Sequence, residues 1–374
     1  MTRRFATALA CAGALLGAAA PAATAQDGDD WVRDGRSDIP LAYYQGVTSQ
    51  DDGDFFFSGF LGVFRTDARL REERRTNEVI DPAARQNPGF NHIGDLTWDD
   101  GDGGRIILPL ECYQASKNPS NTCGVGGFGV VDPATLQWQY WVKLDPADIP
   151  KAMWAESSPD GEQIWTSSGD DLLVYNASDV TRANAQPAGR VIKPVRRLAG
   201  AVPDHGITGA TFVGNRLFLA GQRGARFQVT SLNLTTGVQR PEIERQINGE
   251  SEGLDWHRDR LHWMVMPLSQ TGPPTFGRET GTLLHYKRKP TRLRVRVTPR
   301  RAKMGRRTRF TFRVTDNNGD AVRAATVNFA RARARTNRRG TARMTRTLTR
   351  TGRYSAKVTK RGLRSARTLV RSSR

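Results

Sequence analysis

Five segments of the chain share one pattern of hydrophobic and polar positions: an apolar run, a turn rich in Gly, Asp or Asn, and a second apolar run. The copies occupy residues 47–59, 96–110, 155–169, 210–222 and 254–266. Turn residues that adopt positive φ at little cost, placed between apolar runs, predict a β-hairpin in each copy. A third apolar run follows every hairpin, at residues 61–66, 127–132, 172–176, 226–233 and 282–286.

The spacing of these copies predicts the architecture. Their starts are 49, 59, 55 and 44 residues apart, close to the period of about 40–50 residues of propeller blades. Four antiparallel strands make one blade, and the first four copies each predict a fourth strand, as at 138–144 and 190–198. The fifth copy lacks one, and residues 31–43 are predicted to supply it. We therefore expect an all-β fold with a five-bladed, alternatively six-bladed, β-propeller over residues 26–289; a β-sandwich is the competing all-β interpretation.

Beyond residue 289 the pattern becomes a strict alternation. Apolar residues alternate with arginine or threonine at 292–297 and at 310–315, which is typical of strands with one buried and one exposed face. About seven short strands are expected over residues 290–374, and such a set predicts a small β-sandwich.

Two resemblances to known families add to this interpretation. The segments VTDNNGDAVRAATVNF, TNRRGTAR and TGRYSAKVTKRG resemble bacterial Ig-like repeats of surface adhesins, which implies an Ig-like sandwich that acts as a spacer, stalk or adhesive module. The matching residues are Gly319, Ala325, Val327, Phe329, Thr336, Gly340, Gly352 and Tyr354. The segments HIGDLTW, SPDGEQIWTSS and GESEGLDW resemble secreted bacterial propellers of the NHL or YncE-like kind, an architecture with many functions.

The N-terminus has the composition of a signal peptide. Arg3 and Arg4 precede an apolar stretch at 6–20, and small residues end at Ala25, which predicts cleavage near Ala25 and a signal peptide over residues 1–25. No other segment is apolar enough to span a membrane, so the mature chain is expected to be secreted or associated with the cell envelope. In that oxidising setting Cys112 and Cys123 are predicted to form a disulfide.

Charge is divided unevenly along the chain, whose formal net charge is +20. Residues 290–374 contain 27 Lys and Arg but only two acidic residues, Asp316 and Asp320, whereas residues 26–289 contain 28 basic and 35 acidic residues. A segment carrying +25 is expected to bind polyanions in a salt-dependent way. For an exported protein, the expected partners are anionic cell-envelope polymers or polysaccharides. Nucleic acid would bind without sequence specificity, and no specific nucleic-acid partner is expected.

Propeller geometry predicts where a site would form. The loops that precede the first strands, and those that join second to third strands, open on one face around the axis. The polar residues in or beside these loops are predicted ligand-binding candidates: His92, Asp95, Glu111, Glu156, His205 and Glu252. Carboxylate oxygens suit Ca²⁺, so Asp95, Glu111 and Glu252 are the candidate metal ligands. The Asp-Gly runs at 51–54 and 99–103 lack the distal glutamate of a calcium loop and are interpreted as hairpin turns.

Three functions are consistent with these patterns. The favoured one is an exported, envelope-associated binding protein, in which the propeller face binds a protein or small-molecule ligand and the Arg-rich unit docks on the envelope. One alternative is a metal-dependent hydrolase of the lactonase or esterase type, because a metal beside histidine and carboxylates suits hydrolysis. Another is a purely structural extracellular module. The chain has no Gly-x-Ser-x-Gly elbow, P-loop or dinucleotide fingerprint, so a binding function is favoured over an enzyme.

Overall fold

The computed structural model of the protein describes residues 30–50, 53–117, 120–267, 280–317 and 319–374. These residues form 29 β-strands, one five-residue α-helix, α1 (Pro82–Gln86), and four short 3-10 helices. Among them, no helix is long and apolar enough to cross a membrane. The 3-10 helices are Leu41–Tyr43, Gly101–Gly103, Ala177–Asp179 and Arg182–Asn184.

Five antiparallel sheets contain the strands before residue 290. The first strand, β1 (Trp31–Pro40), belongs to the last of them. Sheet 1 consists of β2 (Gly46–Ser49), β3 (Phe55–Ser58), β4 (Val63–Thr66) and β5 (Glu72–Thr76). Sheet 2 consists of β6 (His92–Ile93) and β7 (Thr97–Asp99), which both pair with β8 (Arg105–Glu111), then β9 (Gly127–Val131) and β10 (Trp138–Lys143).

The remaining three sheets have four strands each. Sheet 3 consists of β11 (Glu156–Ser157), β12 (Gln163–Ser168), β13 (Asp171–Asn176) and β14 (Arg196–Leu198). Sheet 4 consists of β15 (Gly209–Val213), β16 (Arg216–Arg223), β17 (Arg226–Asn233) and β18 (Gln239–Gln246). Sheet 5 consists of β19 (Gly249–His257), β20 (Arg260–Pro267), β21 (Thr280–Arg288) and β1.

The five sheets form a closed ring around an axis. Their first strands contact one another in a cycle, β2 with β7, β7 with β11, β11 with β15, β15 with β19, and β19 with β2. Strand β1 pairs antiparallel with β21, from Trp31 opposite Arg288 to Pro40 opposite Thr280. The N-terminal strand therefore completes the last sheet, as the sequence predicted. We call these five sheets the ring.

Residues 290–374, which we call the C-terminal unit, form two further sheets. One has the order β22 (Leu293–Thr298), β24 (Arg307–Asp316) and β27 (Thr341–Thr347). The other has the order β23 (Arg301–Lys303), β29 (Leu363–Ser373), β28 (Gly352–Lys360), β25 (Thr326–Phe329) and β26 (Ala332–Arg335). Both sheets contribute to one apolar core, with Phe310 and Phe312 from the first and Val327, Phe329 and Val358 from the second. The predicted alternation at 310–314 is confirmed, because Phe310, Phe312 and Val314 all face this core.

Candidate functional site

Asp95 lies on the axis of the ring, and its carboxylate connects three other sheets. Oδ1 accepts a hydrogen bond from the Val47 N–H of sheet 1 at 2.9 Å. Oδ2 accepts from the Ala210 N–H of sheet 4 at 3.2 Å and from the Leu254 N–H of sheet 5 at 3.3 Å. Burial raises the pKa of Asp95 well above its ordinary range, and the three N–H donors oppose that shift because they stabilise the carboxylate.

The backbone of Asp95 connects the fourth neighbouring sheet. Its N–H donates to the Met153 carbonyl at 3.0 Å, and its carbonyl accepts from the Ala155 N–H at 2.9 Å. Both partners flank Trp154, which precedes β11 and forms a parallel bridge with Asp95. Asp95 of sheet 2 is thus hydrogen-bonded to the first-strand region of each of the other four sheets.

Three glycines make room for this carboxylate. A Cβ at Gly46, Gly209 or Gly253 would lie 2.8, 2.7 or 2.6 Å from an Asp95 carboxylate oxygen. The same added atoms would also meet backbone, for example Val47 N at 2.5 Å from Gly253. Because backbone and a buried carboxylate cannot move aside cheaply, only glycine fits at these three positions.

Gly253→Ala is therefore expected to lower the free energy of unfolding by about 3 kcal/mol, the upper range for overpacking a close contact. Gly53→Ala is the matched control, since the nearest described atoms to a Cβ there belong to the Gln50 side chain, with its Oε1 closest at 3.2 Å. Urea denaturation followed by tryptophan fluorescence measures both variants. Equal denaturation midpoints for the two would show that the space around Asp95 is not tightly filled.

His92 and Glu111 lie together at the edge of sheet 2. They are paired across β6 and β8, and His92 Nδ1 is 2.8 Å from Glu111 Oε1. Lys151 Nζ lies 3.9 Å from the other carboxylate oxygen. The rings of Phe60 and Tyr113 pack on the imidazole at centroid distances of 4.5 and 5.3 Å. The Glu111 carboxylate thus faces two basic side chains, while its buried Oε2 has no hydrogen-bond partner among the described residues.

Glu252 and His205, the remaining two candidates, have different neighbours from each other and from the His92–Glu111 pair. Burial raises the pKa of Glu252 well above its ordinary range, and the charges of Glu250 and Asp95 add to the shift. His205 precedes β15, and its Nε2 lies 3.0 Å from the Oγ1 of Thr230 in β17 of sheet 4. Burial lowers the pKa of His205, so its ring is neutral at neutral pH.

Glu156 faces the other mouth of the axis, where the hairpin turns between first and second strands lie. Its Oε1 accepts from the Phe212 N–H and its Oε2 from the Thr97 hydroxyl, each at 3.0 Å. Burial, with the charge of Asp255 added, raises its pKa to about 8. Asp255, which the sequence interpretation missed, accepts from the Ser49 hydroxyl at 2.8 Å. Burial raises the pKa of Asp255 to about 7.

The two carboxyls line a cavity of about 270 Å³ at this mouth, together with Trp98 and Trp256. All five first strands or the turns after them contribute to its wall. The structure does not place the six predicted candidates around one cavity. Of the six, Glu156 lines this cavity, whereas His92 and Glu111 form a pair elsewhere, at the edge of sheet 2. The prediction placed Glu156 in a loop before its strand, whereas the residue begins β11 itself.

This geometry does not fit a calcium site at Asp95, Glu111 and Glu252. Both Asp95 oxygens already accept backbone N–H groups, and Glu111 lies beside two basic side chains, with His92 Nδ1 at 2.8 Å and Lys151 Nζ at 3.9 Å. Within the described ranges, no group of three or more His, Cys, Asp or Glu residues is arranged to hold a metal ion.

The raised pKa values of Glu156 and Asp255 predict how stability depends on pH. The folded state holds their protons up to about pH 8 and about pH 7, whereas the unfolded state releases them near pH 4. Their contribution is therefore complete below about pH 4 and is lost as the pH rises to 8. The double variant Glu156→Gln/Asp255→Asn is expected to lose this dependence.

Thermal melting of wild type and the double variant from pH 5 to pH 8.5 tests this expectation. The difference between their two melting temperatures is taken at each pH, because the effects of the titratable groups that both proteins share then cancel. The wild-type melting temperature should fall relative to the variant as the pH rises from 5 to about 8, and the difference should then level off. Parallel curves for the two proteins would contradict the assigned burial of the pair.

The C-terminal unit presents its cations to solvent. Of its 27 Lys and Arg residues, 25 are exposed, and only Arg346 and Lys360 are partly buried. Among the described residues, no ion pair joins any of these 27 side chains to a carboxylate. Its two acids do not offset this charge on the surface, because Asp316 is buried and Asp320 pairs with Lys287 of the ring at 3.0 Å. This unit is a strongly positive and unneutralised surface.

The Cys112–Cys123 loop follows β8. The structure joins the two cysteines as a disulfide, and residues 118–119 of the loop lie outside the described residues. The Cys112 side chain is buried and packs with Phe90 and Leu110 in a core cluster of sheets 1 and 2. The disulfide therefore anchors the loop to the ring on the side of the His92–Glu111 pair.

Comparisons with known proteins assign the chain to no family. No protein-family model matches the chain, and no curated protein matches it. Among solved structures, it is similar to the PQQ-bound aldose sugar dehydrogenase of Streptomyces coelicolor at 12% identity and a TM-score of 0.34, covering 71% of this chain and 100% of that chain. The glutaminyl cyclase of Myxococcus xanthus is similar at 9% identity and a TM-score of 0.43, covering 69% and 96%. The Cps50 (Swd1) β-propeller domain of Myceliophteria thermophila is similar at 12% identity and a TM-score of 0.32, covering 63% and 67%. The strands of the chain itself make it an all-β protein, and the solved structures similar to it include a β-propeller domain.

Proposed function

We propose that the protein is an exported binding protein that attaches to the cell envelope through its C-terminal unit. Residues 1–25 act as the signal peptide, and residues 26–289 form a five-bladed propeller that presents a site for a ligand or protein partner. Residues 290–374 form an Ig-like sandwich that docks on anionic envelope polymers. The partner is a polyanion, and no specific nucleic acid is involved.

One observation supports this function most directly: the cations of the C-terminal unit are exposed and have no carboxylate partners among the described residues. Arginine and lysine on a soluble domain are usually interspersed with acids, and here 25 exposed cations share their unit with only two acids, of which Asp316 is buried and Asp320 pairs with Lys287 of the ring. A field of that sign attracts polyanions and releases their counterions on binding.

The opposite charge of the ring segment sets the orientation of docking. Residues 26–289 contain 28 basic and 35 acidic residues, a net −7, so an anionic surface repels that part of the chain. The C-terminal unit therefore faces the polymer, and the ring is held away from it. Both mouths of the axis then stay accessible to a second partner.

Retention of the purified full-length protein on envelope preparations tests this function. We expect retention at low ionic strength and release as NaCl approaches 1 M, because electrostatic attraction is screened within about 3 Å at that concentration. Retention that is equally strong at both salt concentrations would contradict electrostatic docking. Failure to bind at low salt would contradict the function altogether.

A further inference from the structure

The outer face of the sheet β22–β24–β27 consists only of arginine and threonine. Alternation fixes this composition, because Val297, Phe312 and Met344 point into the core and their neighbours point outward. The outward residues of the three strands are Arg294, Arg296, Thr298, Arg307, Arg309, Thr311, Arg313, Thr315, Thr341, Arg343, Thr345 and Thr347. All six arginines are exposed, so nothing in the described protein covers this face. We call it the Arg/Thr face.

Strand register arranges these residues in five rows across the sheet. Each row has at least one arginine, and the other outward positions are threonine. The rows are Arg294–Thr315, Arg296–Arg313–Thr341, Thr298–Thr311–Arg343, Arg309–Thr345 and Arg307–Thr347. Successive rows are two residues apart along a strand, or about 6.8 Å. The face therefore presents a positive charge every ~6.8 Å over a length of about 27 Å.

Arg296 and Arg313 stand directly opposite each other in the second row. Like charges at directly opposite positions destabilise a sheet, and no carboxylate among the described residues pairs with either guanidinium. An oxyanion between them would remove that repulsion, since each guanidinium can donate two parallel hydrogen bonds to phosphate. This pair is the strongest single anion position on the face.

The row spacing matches one class of linear polyanion. A fully extended peptide, with three backbone bonds per residue, advances about 3.5 Å per residue. A phosphodiester chain with six backbone bonds per repeat therefore advances up to about 7 Å per charge, which is close to the row spacing. Threonine hydroxyls between the arginines can donate to and accept from the hydroxyls of a polyol repeat.

The composition of the face argues against single-stranded nucleic acid. Proteins that bind such strands stack bases on aromatic side chains, and the Arg/Thr face has none. The five-stranded sheet is a weaker match to a regular polymer. In this sheet a row without charge, Ser355–Leu369, lies between two cationic rows, Arg353–Arg371 and Lys357–Arg367. Leu369 is 48% exposed, so it interrupts the positive surface.

We propose that the Arg/Thr face binds a linear polyol-phosphate polymer of the cell envelope, laid along the strands with one phosphodiester at each row. This assignment rests on the proposed function and specifies its ligand and its surface. Each phosphate is held by arginine, with the Arg296–Arg313 pair sharing one, and the threonine hydroxyls contact the polyol.

The test compares two variants with the same change of charge in the full-length protein. Arg296→Gln/Arg313→Gln removes the opposed pair of the Arg/Thr face. Arg333→Gln/Arg367→Gln removes two cations from the five-stranded sheet, where both line a groove of about 520 Å³. The probes are poly(glycerol phosphate), polygalacturonate and oligothymidylate at equal charge concentration in 0.1 M NaCl. Thermal melting establishes that both variants fold.

We expect the first variant to weaken binding of poly(glycerol phosphate) at least tenfold and the second to weaken it no more than threefold. The slope of log K against log [NaCl] should also become shallower by about 0.7 in the first variant, for the one phosphate that the pair shares. Wild type should prefer poly(glycerol phosphate) to the other two polymers.

Equal losses in the two variants, or a larger loss in the second, would overturn the assignment of the face. Equal or tighter binding of polygalacturonate or oligothymidylate would overturn the ligand class. Absence of binding to every polymer would instead refute the proposed function.

Discussion

Asp95→Ala is expected to lower the free energy of unfolding by about 5 kcal/mol, a large part of the roughly 5–15 kcal/mol typical of a domain. The substitution leaves the Val47, Ala210 and Leu254 N–H groups without their acceptor. A buried donor without a partner costs about 1–3 kcal/mol. Because the three donors belong to different sheets, their loss weakens the ring at its axis. Urea denaturation followed by tryptophan fluorescence measures the effect.

Asp81→Ala is the matched control for that experiment. Asp81 caps helix α1 on the surface, where its carboxylate accepts from the Ala83 N–H at 2.8 Å, and loss of such a cap costs about 1 kcal/mol. Asp95→Asn is a second test, because an amide nitrogen cannot accept the N–H groups at Oδ2. Its loss of stability should lie between those of Asp81→Ala and Asp95→Ala. Similar denaturation midpoints for Asp95→Ala and Asp81→Ala would refute the role of Asp95 as the central connection of the ring.

A chain that ends at Lys289 is expected to bind anionic polymer on the order of a thousandfold more weakly than the full-length protein. The truncation removes 27 cations and two acids and leaves residues 26–289 with a net charge of −7. A thousandfold is the scale by which screening six to ten phosphate contacts weakens binding. Titration of each protein with fluorescent poly(glycerol phosphate) at 50 mM NaCl gives the two dissociation constants.

The truncated chain should keep a folded ring. No apolar core cluster of the described residues extends across residue 290, although Lys287 loses its contact with Asp320 and keeps the one with Asp34 at 2.7 Å. A cooperative melting transition in the truncated protein is the control for folding. Polymer binding as tight as that of the full chain would place the docking surface on the ring instead.

The repeated pattern of the sequence predicted the five sheets, because hairpins depend on local turn residues and on apolar runs close to them. It also predicted that residues near Trp31 complete the last sheet, since the fifth copy lacked a fourth strand of its own. Likewise, the alternation around Phe310 and Phe312 predicted which residues of the C-terminal unit face its core. These features follow from the local alternation of apolar and polar residues, which can be read from the sequence without knowledge of the fold.

The roles of the polar residues on the axis could not be predicted in the same way. Asp95 meets Val47, Ala210 and Leu254, which lie 48, 115 and 159 residues away in the chain. In a sequence, a carboxylate that accepts backbone N–H groups looks the same as one that binds a metal. The signal available for its role was glycine in or beside the first strands of sheets 1, 4 and 5, which leaves space for a buried side chain at the axis.

Asp255 was missed for a related reason. It lies inside β19, three residues after Glu252, where the sequence interpretation looked for strand packing and searched only the loops for chemistry. Its contact with Ser49 and its proximity to Glu156 depend on how sheets 1, 3 and 5 meet at the axis. Inward-facing polar residues near the end of a first strand are the pattern that would have indicated the cavity at this mouth.

The dependence of polymer affinity on salt concentration decides whether the C-terminal unit docks through its unneutralised cations. The dissociation constant of the full-length protein for poly(glycerol phosphate) is measured from 50 to 400 mM NaCl. With about 0.7 counterions released per phosphate contact, five phosphates held at the five rows of the Arg/Thr face predict a slope of log K against log [NaCl] of about −3.5. A slope between −1 and zero would show that charge does not drive the binding and would refute docking through the cations of the C-terminal unit.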